Sequence, residues 1–315
     1  MKSTLPIALA CALAIAPLAV HAEWKPKGPI TLMIAFAAGG GADTQARLIA
    51  EEIEARKGWK IIPEAVTGKG GGVLAARLAK QPADGTAIGM TVSESIGYNM
   101  LAEKNPGYSE KDFTFLATTA GTEMGIVAKA ARGWKTLADV TAAMKKGEKV
   151  SFGAMSQKLG DGAYLLGKAQ GVQYNIVELK GGKAVLDAIT AGDVDIGWVA
   201  GIQARGVAAG DLVNLASGEA RRLSMSPNAP TVKELGLNAD FGVYFMFMAP
   251  KGLPAEARDA LANAIKEAAT DPKSKANAYI VKSFGAPDVI TGAALDKMLA
   301  EDVESSKALL KAALK

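Results

Sequence analysis

The residues with the clearest chemistry are two glycine triplets, each placed between an apolar run and a helical pattern. Residues 39–41 follow the apolar segment 29–37, and residues 70–72 follow the segment 59–66. A strand that enters a helix in this way leaves unpaired backbone N–H groups at the helix N-terminus, where they carry partial positive charge and bind anions. Glycine lets a ligand approach without obstruction by a Cβ atom. The predicted contributors are Ala38, Gly39, Gly40, Gly41 and Gly71.

The spacing of these glycines does not favour a nucleotide. Neither G-x-G-x-x-G nor G-x-x-x-x-G-K-[ST] occurs in the chain, and these are the patterns that cradle dinucleotide and nucleoside phosphates. A carboxylate and a phosphate both fit such a site, so the residues alone leave the anion open. A tight turn without a ligand is the alternative reading of either triplet.

Asp43 lies two residues after the first triplet and is an unusual neighbour for an anion site. One interpretation is structural, because an aspartate in the first turn stabilises the helix dipole and can pair with Arg47 four residues later. The other is functional, in which Asp43 accepts a hydrogen bond from a donor on the ligand. Both interpretations are open at the level of sequence.

Residues 1–22 have the pattern of a cleaved signal peptide. Lys2 precedes an apolar stretch, and small residues precede a cleavage position after Ala22. Cys11 provides an alternative, in which the chain is processed as a lipoprotein at that cysteine. The pattern predicts export to the periplasm.

Cleavage after Ala22 removes all thiol and imidazole chemistry, because Cys11 and His21 are the single cysteine and the single histidine. A disulfide, a zinc site with Cys or His ligands, and catalysis by either residue type are then excluded. The net charge of +4 comes from interspersed charges of both signs, which is not the charge pattern of a nucleic-acid partner. We predict no metal, no cofactor and no catalytic residue.

The segments that position the glycine turns alternate between strand-like and helix-like patterns. Continuous apolar runs, typical of strands buried on both faces, are followed by amphipathic helices of ten to fifteen residues. Repeated βα units of this length predict an α/β fold with mostly parallel sheets. Ligands of such sheets bind beyond the carboxyl ends of the strands, where both glycine turns lie.

Several motifs, in order along the chain, resemble the periplasmic receptors of tripartite tricarboxylate transporters, the Bug-type solute-binding proteins. The segment "IAFAAGGGADTQARLIA" is similar to the first glycine turn of that family, and "GKGGGVLAARLAKQPADGTAIGM" to the second. The later segments "LKGGKAVLDAITAGDVDIGWV" and "MAPKGLPAEARDAL" match as well. The resemblance covers essentially all of the chain after the signal peptide.

The resemblance implies a two-lobed periplasmic-binding-protein fold of type II, in which each lobe is a mostly parallel sheet flanked by helices. We place the first lobe at residues 23–119 plus 222–315 and the second at 120–221, with crossings near 119–121 and 217–222. The ligand would be enclosed in the cleft between the lobes, whose closure follows hinge motion.

The same resemblance implies a set of ligand contacts. In this family the first glycine turn holds a carboxylate through backbone amides. For this chain that implies Ala38 and the residues that follow it, with Asp43 beside them. Ser93 and Ser156 are hydroxyl candidates, Gly181 offers an N–H group, and Trp198 would form an aromatic wall. The alternatives are loop serines and a tryptophan in the core.

The implied function is a monomeric, non-catalytic receptor that captures a dicarboxylate or an aromatic carboxylate for transporter subunits in the inner membrane. Two alternatives remain at this stage. One is a ligand sensor for a membrane signalling system, and the other is an enzyme that uses carboxylate, tyrosine or lysine chemistry in the same cleft.

Overall fold

The computed structural model describes residues 24–314, so the predicted signal peptide and the alternative lipoprotein cysteine lie outside the described residues. The strands are β1 (Ile30–Ile34), β2 (Ile61–Ala65), β3 (Ala87–Val92), β4 (Phe113–Gly121), β5 (Met124–Lys129), β6 (Ser151–Ala154), β7 (Asn175–Glu178), β8 (Ile196–Ala200), β9 (Leu212–Ser217) and β10 (Tyr244–Pro250). The helices are α1 (Gly41–Lys57), α2 (Gly72–Leu78), α3 (Tyr98–Ala102), α4 (Leu137–Lys145), α5 (Gln157–Gln170), α6 (Gly182–Ala191), α7 (Ala204–Ala209), α8 (Ala255–Thr270), α9 (Lys275–Phe284) and α10 (Gly292–Ala313).

The first lobe is built around a sheet with the strand order β2-β1-β3-β10-β4. The apolar strands β1 and β3 occupy its interior, because every residue of β3 and all but one of β1 are buried. Helix α1 packs one apolar face, including Ile49 and Ile53, into the same core. Strand β10 runs antiparallel to both of its neighbours, so four of the five strands share one direction.

The second lobe repeats this arrangement, with the order β7-β6-β8-β5-β9. Here β5 is the reversed strand, since it pairs antiparallel with both β8 and β9. Each reversed strand comes directly after the chain crosses between the lobes. The predicted α/β fold with two mostly parallel sheets is confirmed.

Two short crossing segments connect the lobes and lie side by side. The Thr122 N–H donates to the Val243 carbonyl at 2.9 Å, and the Val243 N–H donates to Thr122 Oγ1 at 3.1 Å. The return crossing was predicted near residues 217–222, but the chain stays with the second lobe for another twenty residues. Val232 and Phe241 belong to the second core, so their burial places the return crossing between Phe241 and Tyr244.

The C-terminal helix α10 packs on both lobes, although the sequence placed it in the first. Leu295 and Leu299 lie in a core cluster of the first lobe, whereas Leu309 packs against the core of the second. Over residues 24–314, no helix has the length and the apolar character that a membrane crossing requires.

Candidate functional site

A cavity between the two lobes is the candidate site. Both lobes and both crossing segments contribute to its walls. Its lining residues are Phe36, Ala37, Gly40, Gly41, Ala42, Val92, Glu94, Thr122, Met124, Met155, Leu159, Gly181, Gly182, Lys183, Ala200, Ile202, Val243 and Phe245. Most of these side chains are apolar, and a few polar groups stand among them, as is typical of small-molecule sites.

The first polar element of the cavity is the N-terminus of α1. The helix begins at Gly41, and the Thr44 N–H is the first of its amides to bond back, to the Gly40 carbonyl at 2.9 Å. The N–H groups of Gly41, Ala42 and Asp43 therefore meet no acceptor among residues 24–314, as expected for a first helical turn. Because Gly41 and Ala42 line the cavity, the helix N-terminus presents partial positive charge there, which is the arrangement that binds anions.

Asp43 holds the glycine turn in shape. Its carboxylate is 3% exposed. Oδ2 accepts the Gly39 N–H at 2.9 Å, and Oδ1 accepts the Arg47 Nε–H at 2.8 Å. Both oxygens are thus engaged on the protein side of the turn. Gly39 has φ +75, a left-handed conformation that favours glycine.

The second polar element is the N-terminus of α6 in the opposite lobe. Gly181 and Gly182 line the cavity, and the first three amides of α6 have no acceptor among the described residues. The Gly181 N–H, which was predicted to be offered to the ligand, instead donates to the Leu179 carbonyl at 3.0 Å. Lys183 extends across to the first lobe, since a Cβ atom at Gly39 would lie 3.5 Å from its Cδ and Cε. Its ammonium group pairs with Asp187. Two helix N-termini, one from each lobe, therefore converge on one cavity.

The remaining walls are apolar. Phe36 and Phe245 come from the first lobe, and Met155, Leu159 and Ile202 come from the second. Phe36 also touches the α6 turn, because a Cβ atom at Gly181 would lie 3.7 Å from its Cδ1. A hydrocarbon or aromatic portion of a ligand suits such walls, because transfer of apolar surface out of water is favourable.

Glu94 is a cavity residue that the sequence analysis missed. It lies two residues after the end of β3 and is 4% exposed. Oε1 accepts the Asn99 Nδ2–H at 3.1 Å, whereas Oε2 has no hydrogen-bond partner among residues 24–314. Burial raises the pKa of Glu94, and the Lys158 ammonium and the Ser156 hydroxyl of the second lobe oppose that rise. A charged residue two positions after a predominantly apolar strand was the available sequence signal.

The second glycine triplet serves close packing of protein against protein and lies outside the cavity lining. Gly71 has φ +98, and an added Cβ would lie 2.2 Å from Ser95 Oγ and 2.5 Å from Thr91 Oγ1. The Gly70 carbonyl accepts the Ser95 hydroxyl at 2.7 Å. Gly71 is therefore needed for close approach of protein to protein, in contrast to its predicted contact with a ligand.

The two predicted serines are engaged by the backbone. The Ser93 hydroxyl accepts the Tyr244 N–H at 3.3 Å, on the path of the returning chain. Ser156 caps α5 by accepting the Leu159 N–H at 3.4 Å, and it also lies beside Glu94. Neither serine is part of the cavity lining, although each adjoins a residue that is.

Trp198 lies in the core of the second lobe and not in the predicted aromatic wall. It is 0% exposed, and its indole N–H donates to the Leu159 carbonyl at 2.9 Å. Its ring stands 5.0 Å from that of Phe241 and 5.5 Å from that of Phe152, measured between centroids. The aromatic residues of the cavity lining are Phe36 and Phe245 instead.

The lobes also contact each other directly beside the cavity. Tyr98 on α3 donates its hydroxyl to Asp161 Oδ2 on α5 at 2.6 Å. Burial raises the pKa of Tyr98, and the neighbouring Asp161 adds to the rise, so the phenol stays protonated as a donor. This bond holds the lobes in a closed arrangement.

The chain is similar to proteins of one family. A family model for the tripartite tricarboxylate transporter family receptor matches residues 45–314. An Agrobacterium vitis protein named for the TAR-I ttuE-ttuC' intergenic region is 32% identical over 303 residues, covering 89% of this chain and 82% of that protein. The family model spans most of the described residues, including both lobes.

Solved structures show the same fold. The periplasmic binding protein BugD superposes with a TM-score of 0.80 at 23% identity, covering 92% of this chain and 98% of BugD. MatC from Rhodopseudomonas palustris, solved with bound malate, superposes with a TM-score of 0.79 at 21% identity, covering 90% and 99%. Together with the family match, these findings establish that the chain belongs to the receptor family of the tripartite tricarboxylate transporters.

Proposed function

We propose that this chain is a periplasmic receptor that captures a small organic carboxylate, either a dicarboxylate or an aromatic carboxylate. It delivers the ligand to a tripartite tricarboxylate-type transporter in the inner membrane. The observation that carries the proposal is the convergence of two helix N-termini, α1 at Gly41 and α6 at Gly182, on one apolar-walled cavity. Unpaired amides at both positions suit carboxylate groups. The malate bound to MatC, a protein of the same fold, supports this chemistry.

Closure of the lobes distinguishes the ligand-bound receptor from the empty one. The cavity is walled from both sides, and the Tyr98–Asp161 bond crosses from one lobe to the other. A ligand that contacts both helix N-termini at once stabilises this closed form over an open one, by its difference in affinity for the two. The transporter subunits then recognise the closed form.

Ligand binding by the mature protein tests the proposal directly. Thermal unfolding is measured with a panel of dicarboxylates and aromatic carboxylates, and bound compounds are identified by native mass spectrometry. A ligand at 100 times its dissociation constant is expected to stabilise the protein by about 2.7 kcal/mol. We expect the ligand that is recovered from the protein to be chemically unchanged. A folded protein that is stabilised by no carboxylate, or that converts one, contradicts the proposal.

A pair of matched variants locates the site. Gly182→Val places a branched side chain at the first residue of α6, inside the cavity, and is expected to abolish binding. Ala255→Val makes a similar change at the first residue of α8, where the side chain is exposed and outside the cavity lining. The second variant is expected to bind as the wild type does.

A further inference from the structure

We infer that the ligand carries an N–H or O–H donor that binds Oε2 of Glu94, in addition to the carboxylate that the helix N-termini hold. The inference rests on the proposed function, and it narrows the ligand class to carboxylates that bear a hydroxyl, amide or ammonium group. Acids whose polar atoms are all acceptors are excluded as good ligands.

The first argument is the hydrogen-bond inventory of Glu94. Its carboxyl is 4% exposed, and Asn99 occupies Oε1, whereas Oε2 has no partner among residues 24–314. Other buried side-chain atoms in that range also lack a partner, but they belong to Gln45, Asn99, Glu123 and Asp302, none of which lines the cavity. A buried polar atom without a partner is costly. Of the described residues with such an unpaired buried atom, Glu94 is the one that lines the cavity, so a ligand in the cavity is the candidate partner of Oε2.

The second argument concerns charge around Glu94. Lys158 of the second lobe lies near both Glu94 and Asp302, so a buried carboxyl and a partly buried one share one buried ammonium group. The shared excess of carboxyl groups repels a ligand acceptor and attracts the positive end of a donor dipole or a cation. A second ligand carboxylate directed at Glu94 would meet this repulsion.

The third argument concerns the other polar groups of the cavity, which cannot replace Glu94 as acceptors. The Thr122 hydroxyl donates to Glu219 and accepts the Val243 N–H. The Lys183 ammonium and the helix N-termini are donors. A ligand with a donor group therefore finds its side-chain acceptor at Glu94.

Two matched series of compounds test the inference on the mature wild-type protein by isothermal titration. The first is succinate, 2-hydroxysuccinate, 2-methoxysuccinate and 2-aminosuccinate, and the second is benzoate, 4-hydroxybenzoate and 4-(aminomethyl)benzoate. In the series that binds, the compound with a donor is expected to bind at least about tenfold more tightly than its parent. The methoxy compound, which lacks the donor, is expected to lose this gain. The hydroxyl and ammonium members distinguish a neutral from a charged donor.

Glu94→Gln assigns the preference to this residue. Asn99 keeps the amide oxygen as its acceptor, so the amide nitrogen takes the place of Oε2 and presents a donor. The variant is expected to lose the tenfold preference. Glu219→Gln is the matched control, because Glu219 is also a buried glutamate but lies outside the cavity lining, and its preference is expected to stay unchanged.

The outcomes separate the two proposals. Tight binding of succinate or benzoate, with no gain from a donor, overturns the inference and leaves the receptor function standing. Glu94→Gln that keeps the wild-type preference also overturns it, and if that variant does not fold, the wild-type series decides alone. Binding of 1-aminohexane, which has no carboxylate, at the same affinity contradicts the proposed function but supports the donor site. No binding by any compound contradicts both.

Discussion

Tyr98 and Asp161 join the two lobes through a hydrogen bond of 2.6 Å from the phenol to the carboxylate. Tyr98 is fully buried, and Asp161 is further held by the Gln157 amide at 2.9 Å. Neither residue lines the cavity. The bond therefore contributes to closure without contacting a ligand in the cavity.

Tyr98→Phe removes only the hydroxyl that makes this contact. Hydrogen bonds to charged groups contribute about 1.5–3 kcal/mol, so the variant is expected to bind its ligand roughly tenfold more weakly and to shift toward an open form. Titration calorimetry measures the affinity, and small-angle scattering measures the opening. Tyr174→Phe is the control, because that hydroxyl donates to Gln170 within one lobe. Equal loss of affinity in both variants would contradict the role in closure.

Asp43→Asn tests the clamp on the first glycine turn. The change removes the charge that pairs with Arg47 and weakens the acceptor for Gly39. Unfolding is expected to become easier by about 1–2 kcal/mol, and all ligands are expected to bind more weakly while their order of preference is kept. Urea denaturation and the compound panel measure these two effects.

Asp84→Asn is the control for the Asp43 variant. Asp84 accepts both the N–H and the hydroxyl of Thr86 in a turn outside the cavity lining. The Asp84→Asn protein is expected to have a lower free energy of unfolding and the same ligand affinity as the wild type. A changed order of ligand preference in Asp43→Asn would show instead that this carboxylate contacts the ligand.

Glu219 gives the crossing region a pH dependence. Burial raises the pKa of Glu219 to about 7, against the opposing Met124 N–H and Thr122 hydroxyl donors, from an ordinary value of 4.5. Between these two values the folded protein binds more protons than the unfolded chain, so stability from this group falls as pH rises from about 4.5 to about 7. Glu219→Gln is expected to flatten this part of the profile, measured by urea denaturation at several pH values. Parallel wild-type and variant profiles would rule out the assignment.

Trp198→Phe separates a core role from a role in the cavity. The indole fills the second core and bonds to the Leu159 carbonyl, so the free energy of unfolding is expected to fall by about 2–3 kcal/mol. Ligand preference is expected to stay as in the wild type. Phe245→Leu is the comparison, because that ring lines the cavity and its loss is expected to weaken aromatic ligands selectively. Selective loss of aromatic ligands in Trp198→Phe would return Trp198 to the cavity.

The fold was predictable because its determinants are local and repeated. Apolar runs followed by amphipathic helices indicate βα units wherever they occur, and the hydrogen bonds of the first glycine turn lie within one short segment, residues 37–47. The same local pattern at Gly71 has a different use, since Thr91 and Ser95 pack where a Cβ atom would stand. Sequence alone cannot distinguish these two uses of glycine, because the distinction depends on the neighbour in space.

The role of Glu94 in the cavity was missed for a related reason. Glu94 is buried because the second lobe covers it, and Ser156 and Lys158, which approach it, are more than sixty positions away. The late return crossing has the same origin, since Val232 and Phe241 follow the last strand of the second sheet yet pack into its core. The burial of Glu94 and the late return crossing both depend on how the lobes pack together, and the periodicity of the sequence carries no information about that packing.

Helix α10 limits how strongly the closed population of the receptor can differ between its empty and its ligand-bound state. Its first turns are anchored in the core of the first lobe, while Leu309 packs on the core of the second. An opening motion that separates α10 from the second core exposes this apolar contact to water, so the contact stabilises the closed form of the empty protein as well. Under the proposed function, a transporter that recognises the closed form would then also bind some receptors that carry no ligand. The extent of the apolar contact between α10 and the two cores therefore sets the fraction of empty receptors that are closed, and with it the level of transporter binding that does not depend on ligand.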